Sequence, residues 1–355
     1  MKYVFKKTSY VILVSVLDAI GSVLFFPLKF FKKNPPLNPK SILVVRLDHI
    51  GDFVCTTPLF KNIRKRFPAA KITALINSAS KDLAYRNPDI DKVITFSPFY
   101  LARSGKPFMM EGLFRIIRDI KNIGFDLGIE PRGDLLSILI MWLGRVKYRI
   151  GYGITGAGFL LHEESRYDRN IHVIDRNLAL LKDLNIPIED RSPSVYFNEK
   201  DVEAVERLLR PLRGLAMTNK AEDRNDNFVV LHPFAGAVSR GWDKRKFQDL
   251  IDRLKANRFT VFVVGTKNDD CDYRNIIDMR DKFNLPELAY FIKYMGCFIG
   301  LNSGPANIAA ALGVPSVVIS SGTNIIEDWI PPDNNARFVY KKDINELVRD
   351  GHLPV

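Results

Sequence analysis

The first apolar stretch of the chain lies between Lys7 and Lys29, where TSYVILVSVLDAIGSVLFFPL carries a single acid, Asp18. Thr8, Ser15, Ser22 and Lys29 recur every seven residues and Asp18 follows Ser15 by three, so a helix gathers them into one narrow polar stripe. At about 1.5 Å per residue the run could reach across a hydrocarbon core. Asp18 at its centre and lysines on both flanks instead predict a helix lying in the plane of a bilayer, or entering it shallowly. Packing of the same helix on the protein's own core is the other reading of this pattern. Residues 34–39, NPPLNP, end the helix and read as a stiff linker.

From Ser41 the pattern changes to short apolar runs separated by helical stretches. ILVVRL, KITALIN, KVITF and DLGIE read as strands, and TTPLFKNIRKRF and GLFRIIRDIKNIG as helices between them. A polar, proline-containing stretch follows NLALLKDLNI. A second alternation then begins, with strands FVVLHP, FTVFVVG, CFIGL and PSVVIS and helices KRKFQDLIDRLKAN, LPELAYFIKYMG and PANIAAALG. Such alternation predicts parallel sheets covered by helices, here two doubly wound domains. The expected division is 1–40 for the membrane-associating helix and linker, 41–195 for one Rossmann-like domain and 196–355 for a second, nucleotide-binding-like one. The expected site is a cleft between facing strand ends.

Composition narrows the class. A chain of 355 residues with 46% hydrophobic and 26% charged residues can fill two cores, at about 150 residues per domain. Half of the net charge of +12 falls within residues 1–40, where seven lysines face Asp18 alone. The rest lacks a long basic run, which argues against nucleic acid and for an anionic lipid surface. Cys55, Cys271 and Cys297 are widely spaced, and neither they nor the five histidines have metal-ligand spacing, so no metal site or disulfide framework is indicated.

Three loops carry candidate chemistry. In LDHIGDFV, Asp52 falls at the start of a helix, where a carboxylate is stabilised; a general base and a simple helix cap are both compatible with that position. Asn302-Ser303-Gly304-Pro305-Ala306-Asn307 opens an alanine-rich helix after a strand and leaves N–H groups for a phosphate, unless it is an ordinary strand-to-helix turn. HPFAGAVSRGW supplies Gly236 for close approach and Arg240 to neutralise a diphosphate, with Lys244 a second candidate and Trp242 an anchor for the loop. Gly151-Tyr152-Gly153-Ile154-Thr155-Gly156 matches G-x-G-x-x-G away from a domain's first strand and reads as a flexible loop on the acceptor side. Asp270-Cys271-Asp272 is a bare D-x-D in a polar turn.

Taken together, ILVVRLDHIGDFVCTTPLFKNIRKRFP, RIGYG, HVIDRNLALLKDLNI, LHPFAG…RGWDKRKF, LPELA and IGLNSGPANIAAALGVP resemble glycosyltransferase family 9, the lipopolysaccharide heptosyltransferases of GT-B fold, over roughly Ser41 to Pro332. The resemblance implies an inverting, metal-independent transferase with no cofactor. It would move heptose or a similar sugar from a nucleotide diphosphate sugar to a lipid-linked glycan such as lipopolysaccharide core. Localisation would be the cytoplasmic face of a bacterial inner membrane, with residues 1–33 at the membrane surface. The family's I-G-D aspartate falls on Asp52 and the lysine two residues before its tryptophan on Arg240. Its D-S-G-x-x-H falls on Asn302, Ser303, Gly304 and Asn307, so both ends of that motif are Asn here. Glu287 of LPELA is a further donor-binding candidate. A catalytically weakened nucleotide- or glycan-binding protein of the same fold is the alternative. An epimerase would need acid and base partners on both sugar faces, and none is identifiable.

Overall fold

The computed structural model describes residues 3, 8–25, 34–98, 110–212, 225–235, 241–320 and 336–339. The chain divides into two compact units, Met1–Arg191 and Ser192–Val355.

The first unit holds α1 (Thr8–Leu24), β1 (Ser41–Arg46), α2 (Ile50–Val54), α3 (Thr57–Arg66), β2 (Lys71–Ile76), α4 (Lys81–Arg86), β3 (Lys92–Thr95), α5 (Met110–Ile123), β4 (Leu127–Glu130), α6 (Leu135–Leu143), β5 (Tyr148–Gly151), β6 (Glu163–Glu164) and α7 (Val173–Asp183). Its six strands are parallel in the order 3-2-1-4-5-6. Strands covered on both faces read as unbroken apolar runs, and Ile42 through Val45 of β1 are fully buried. The core around Leu43, Val45, Leu75, Phe125 and Ile138 joins the sheet to α5 and α6. Each such side chain contributes about 1.5–3 kcal/mol. The helix expected from TTPLFKNIRKRF begins earlier and is broken: α2 stops at Val54, the Thr56 hydroxyl donates to the Asp52 carbonyl at 2.7 Å, and α3 restarts with Pro58 in its first turn.

The second unit contains α8 (Glu199–Leu209), β7 (Asn225–His232), α9 (Lys244–Ala256), β8 (Thr260–Val263), β9 (Ile277–Asp278), α10 (Leu285–Tyr294), β10 (Met295–Leu301), α11 (Gly304–Ala311), β11 (Ser316–Ile319) and β12 (Ala336–Val339). Its sheet runs 12-11-10-7-8-9, again parallel. Counted from the unit's first strand, this is the order of the first sheet. Each sheet therefore has a point where strand order reverses, beside β1 and β4 in one and beside β7 and β10 in the other. Open α/β sheets bind ligands at the strand C-termini of such points.

Within the polar stripe of α1, Asp18 turns inward and Ser15 and Ser22 are half-buried while Thr8 stays exposed, so the helix packs on the protein along this face, the second reading of the pattern given above. Asp18 is 7% exposed and Val14 and Gly21 are buried, whereas Ile12 is 60% exposed, Val23 74%, and Leu13, Val16, Leu17 and Ile20 about half. The reason lies in the first unit's own surface, which offers Asp18 two hydrogen-bond donors that an outward carboxylate would forgo. Among the described residues, no helix is long and apolar enough to cross a membrane.

Candidate functional site

In the first unit β1 ends on Arg46, and the chain turns through Asp48 and His49 into α2. Asp52 is the third residue of that short helix, 6% exposed, and its Oδ2 accepts the His49 backbone N–H at 3.0 Å. Its Oδ1 lies 3.3 Å from an Arg46 Nη. Burial by itself pushes the Asp52 carboxyl up, but the hydrogen bonds from His49 and the charge of Arg46 outweigh it and hold the group below the usual carboxylate range. Asp52 is an anion at neutral pH.

Arg46 is itself buried and serves several partners. Its Nε is 2.9 Å from Asp48 Oδ1, and Nη1 donates to Asn177 Oδ1 at 3.3 Å. The Asp48 contact is an ion pair without hydrogen-bond geometry, leaving both of its buried atoms without such a partner among the described residues. Unsatisfied buried polar atoms are uncommon in native structures and gather at functional places. Burial, reinforced by the Asp52 charge and opposed by Arg46, pushes the Asp48 carboxyl up to about 6.

The neighbouring strand completes the corner. Glu130 at the end of β4 has no exposed surface and accepts the Gly133 and Asp134 N–H groups at 2.5 and 3.2 Å. Burial first, and the nearby Asp134 charge second, push it up to about 8. Arg132, on the same turn, lies 3.6 Å from Asp48 and 3.8 Å from Asp134. Of this corner the sequence singled out only Asp52. Arg46 closing an otherwise apolar strand, and the charges of EPRGD directly after another, were the available signals.

In the second unit Ser303 precedes α11 in an extended conformation, with Pro305 in the helix's first turn. Among the described residues the buried Ser303 Oγ has no hydrogen-bond partner. The first turn's N–H groups and this hydroxyl together suit an anion. The Asn307 side-chain N–H donates to the Ser303 carbonyl at 3.0 Å, so its amide braces the turn. Asn302 and Gly304 are half-buried at the same turn.

Other candidates are placed differently. The Lys244 ammonium lies 2.9 Å from Asp270 and also pairs with Asp272, whose carboxyl it holds below the usual range. Glu287 accepts the Asn284 N–H at 2.9 Å and caps α10. Trp242 packs edge-on against Phe247, with ring centroids 4.7 Å apart. Gly236 and Arg240 lie outside the described residues. The 151–156 loop is tied down on both sides: Thr155 Oγ1 donates to the Gly133 carbonyl and accepts the Leu135 N–H, each at 2.8 Å.

Residues 113–345 match the profile of glycosyltransferase family 9 (heptosyltransferase). Lipopolysaccharide heptosyltransferase 3 of Escherichia coli K12 is 25% identical over 304 residues, covering 79% of this chain and 85% of the relative. The fold is shared with a glycosyl transferase family 9 protein of Veillonella parvula, at a TM-score of 0.73 and 20% identity over 90% of this chain and 91% of that one. It is shared too with E. coli ADP-heptose LPS heptosyltransferase II, at a TM-score of 0.66 and 16% identity over 88% and 100%.

Proposed function

The chain belongs to glycosyltransferase family 9 and is a glycosyltransferase, and from that premise we propose an inverting, metal-independent transfer of heptose or a similar sugar from a nucleotide diphosphate donor to lipopolysaccharide core or a related lipid-linked glycan. The observation that carries this reading is Asp52, a buried carboxylate held ionised beside the reversal point of the first sheet.

A carboxylate of depressed pKa is a weak base toward a free alcohol. It accepts the acceptor's hydroxyl hydrogen bond in the ground state and takes the proton as the new C–O bond forms and the hydroxyl becomes acidic. The oxygen attacks the anomeric carbon from the face opposite the nucleotide, so a single displacement inverts configuration. The departing diphosphate is stabilised by the Ser303 hydroxyl and the N–H groups of the turn at Gly304, with Gly236 and Arg240 assigned to the same oxygens from the sequence. Arg46 keeps the base anionic and fixed.

The reaction belongs at the cytoplasmic face of a bacterial inner membrane, where nucleotide sugars are available. Residues 1–33 hold the enzyme there, the apolar face of α1 entering the acyl boundary and flanking lysines meeting anionic headgroups. A binding protein without transfer is the second reading, favoured by Asn302 and Asn307, which stand where the family has Asp and His. Incubating the chain with ADP-heptose, UDP- and GDP-sugars and truncated lipopolysaccharide separates the two. Acceptor-dependent release of nucleoside diphosphate supports the transferase, and saturable donor binding without release from any pair supports the binding protein.

A further inference from the structure

Helix α1 is joined to the 151–158 turn through a carboxylate, and that turn is joined to the catalytic corner. Asp18 Oδ1 accepts the Ala157 N–H at 2.8 Å, and Oδ2 accepts the Tyr3 hydroxyl, also at 2.8 Å. Ala157 stands at φ 61° and Gly156 at φ 109°, backbone conformations that L-residues seldom adopt and that need fixed partners to persist. Further along the helix, Gly21 lies against the Phe159 ring so closely that a Cβ there would fall 2.3 Å from a ring carbon. On its other side the turn bonds through Thr155 to Gly133 and Leu135, Gly133 bonds to Glu130, and Arg132 pairs with Asp48 beside Arg46 and Asp52.

We propose that Asp18 is a positioning residue for the acceptor side of the reaction: it latches α1 to the 151–158 turn, so that seating the helix's apolar face in an anionic bilayer fixes the turn that is bonded to the 130–135 side of the corner holding the base. This rests on the transferase reading above. The inside-out polarity of α1 supplies the lever, because its only buried acid grips the protein while its outer face is apolar. The occupant is a bilayer and not a second copy. Lys6 and Lys7 precede the helix in sequence and Lys29, Lys32 and Lys33 come after it, so pairing two such helices sets like charges together, whereas anionic headgroups complement them.

The test uses the full chain on phosphatidylglycerol–phosphatidylethanolamine vesicles, with ADP-heptose and truncated lipopolysaccharide. Asp18→Leu should still sediment with vesicles, while amide exchange over residues 151–158 accelerates at least about tenfold. Its acceptor KM should rise ~3- to 30-fold with donor KM unchanged. Asp18→Asn, whose carbonyl can still accept the Ala157 N–H, should stay within about twofold of the parent. Should Asp18→Leu fail to fold, Gly21→Val keeps the carboxylate but lifts the helix off Phe159, and it should show the same exchange and acceptor-KM changes. Parental exchange and acceptor KM in the folded variant overturn the latch, as does a matching loss in Asp18→Leu and Asp18→Asn. If the parent transfers no sugar at all, the functional reading fails separately. Exchange then decides the latch alone: loss of protection in Asp18→Leu with retention in Asp18→Asn upholds it, and equal protection in all three overturns it.

Discussion

The two units share a strand order but equip the same corner with opposite chemistry. Beside β1 and β4, Arg46 and Arg132 stand among Asp48, Asp52, Glu130 and Asp134, and each of the three aspartates faces a guanidinium. Beside β10, the described residues offer a serine hydroxyl with no partner, a glycine and two asparagines at the start of a helix. The first corner is assembled before any ligand arrives, and each member depends on another. The second has, among the described residues, a serine hydroxyl without a mate and no cation or carboxylate beside it at that turn. On the transferase reading proposed above, one fold provides a base in one unit and an anion seat in the other by placing different residues after two equivalent strands.

Substitutions should therefore affect stability and chemistry together in the first corner and donor affinity alone in the second. The largest effect is expected from Asp52→Asn, which should lower kcat by ~10²–10⁴; initial rates of nucleoside diphosphate release check it, and near-parental turnover removes Asp52 as the base. Arg46→Met should destabilise the protein by about 3–5 kcal/mol, because two buried carboxylates lose their cation, measured as a fall in urea midpoint.

Glu130 gives the comparison a pH dependence. Its folded pKa of about 8 lies above its ordinary 4.5, so folding favours the protonated form. Its contribution is fully present below pH 4.5 and is lost as pH rises toward 8, by up to ~1.4 kcal/mol per pH unit. Asp48 acts in the same direction from 3.8 to about 6. Urea denaturation of Glu130→Gln against the parent between pH 5 and 8 should show a flatter stability profile; an unchanged slope contradicts the assignment. The smallest effect should come from Ser303→Ala: donor KM up roughly 10- to 150-fold, from loss of one hydrogen bond to a charged group, with the melting temperature unchanged because the hydroxyl bonds to nothing among the described residues. A lowered melting temperature would show the second corner to be structural as well.

Much of the fold was legible because fully covered parallel strands leave apolar runs such as ILVV and FVVL that few other structures require. The two-residue strands Glu163–Glu164 and Ile277–Asp278 are too short to leave a pattern. Asp52 could be singled out from its local setting at a helix start. Its companions could not, since Arg46 meets Asn177 across 131 positions and Glu130 reaches the corner only through sheet pairing. Lys244 and Glu287 were candidates by position, and the structure engages them with Asp270, Asp272 and Asn284. For α1 the sequence displayed a stripe but not its direction, which depended on an amide 139 residues away.

The grip of Asp18 on Ala157 has a practical corollary for anyone preparing this enzyme. An oily leader invites removal so that the remainder can be handled without detergent. Cutting at Asn34 would also strip the lining from beneath a backbone bend, stranding one buried amide and uncovering the ring of Phe159. A trimmed version that behaves well in buffer lacks the carboxylate that holds this bend in the intact chain.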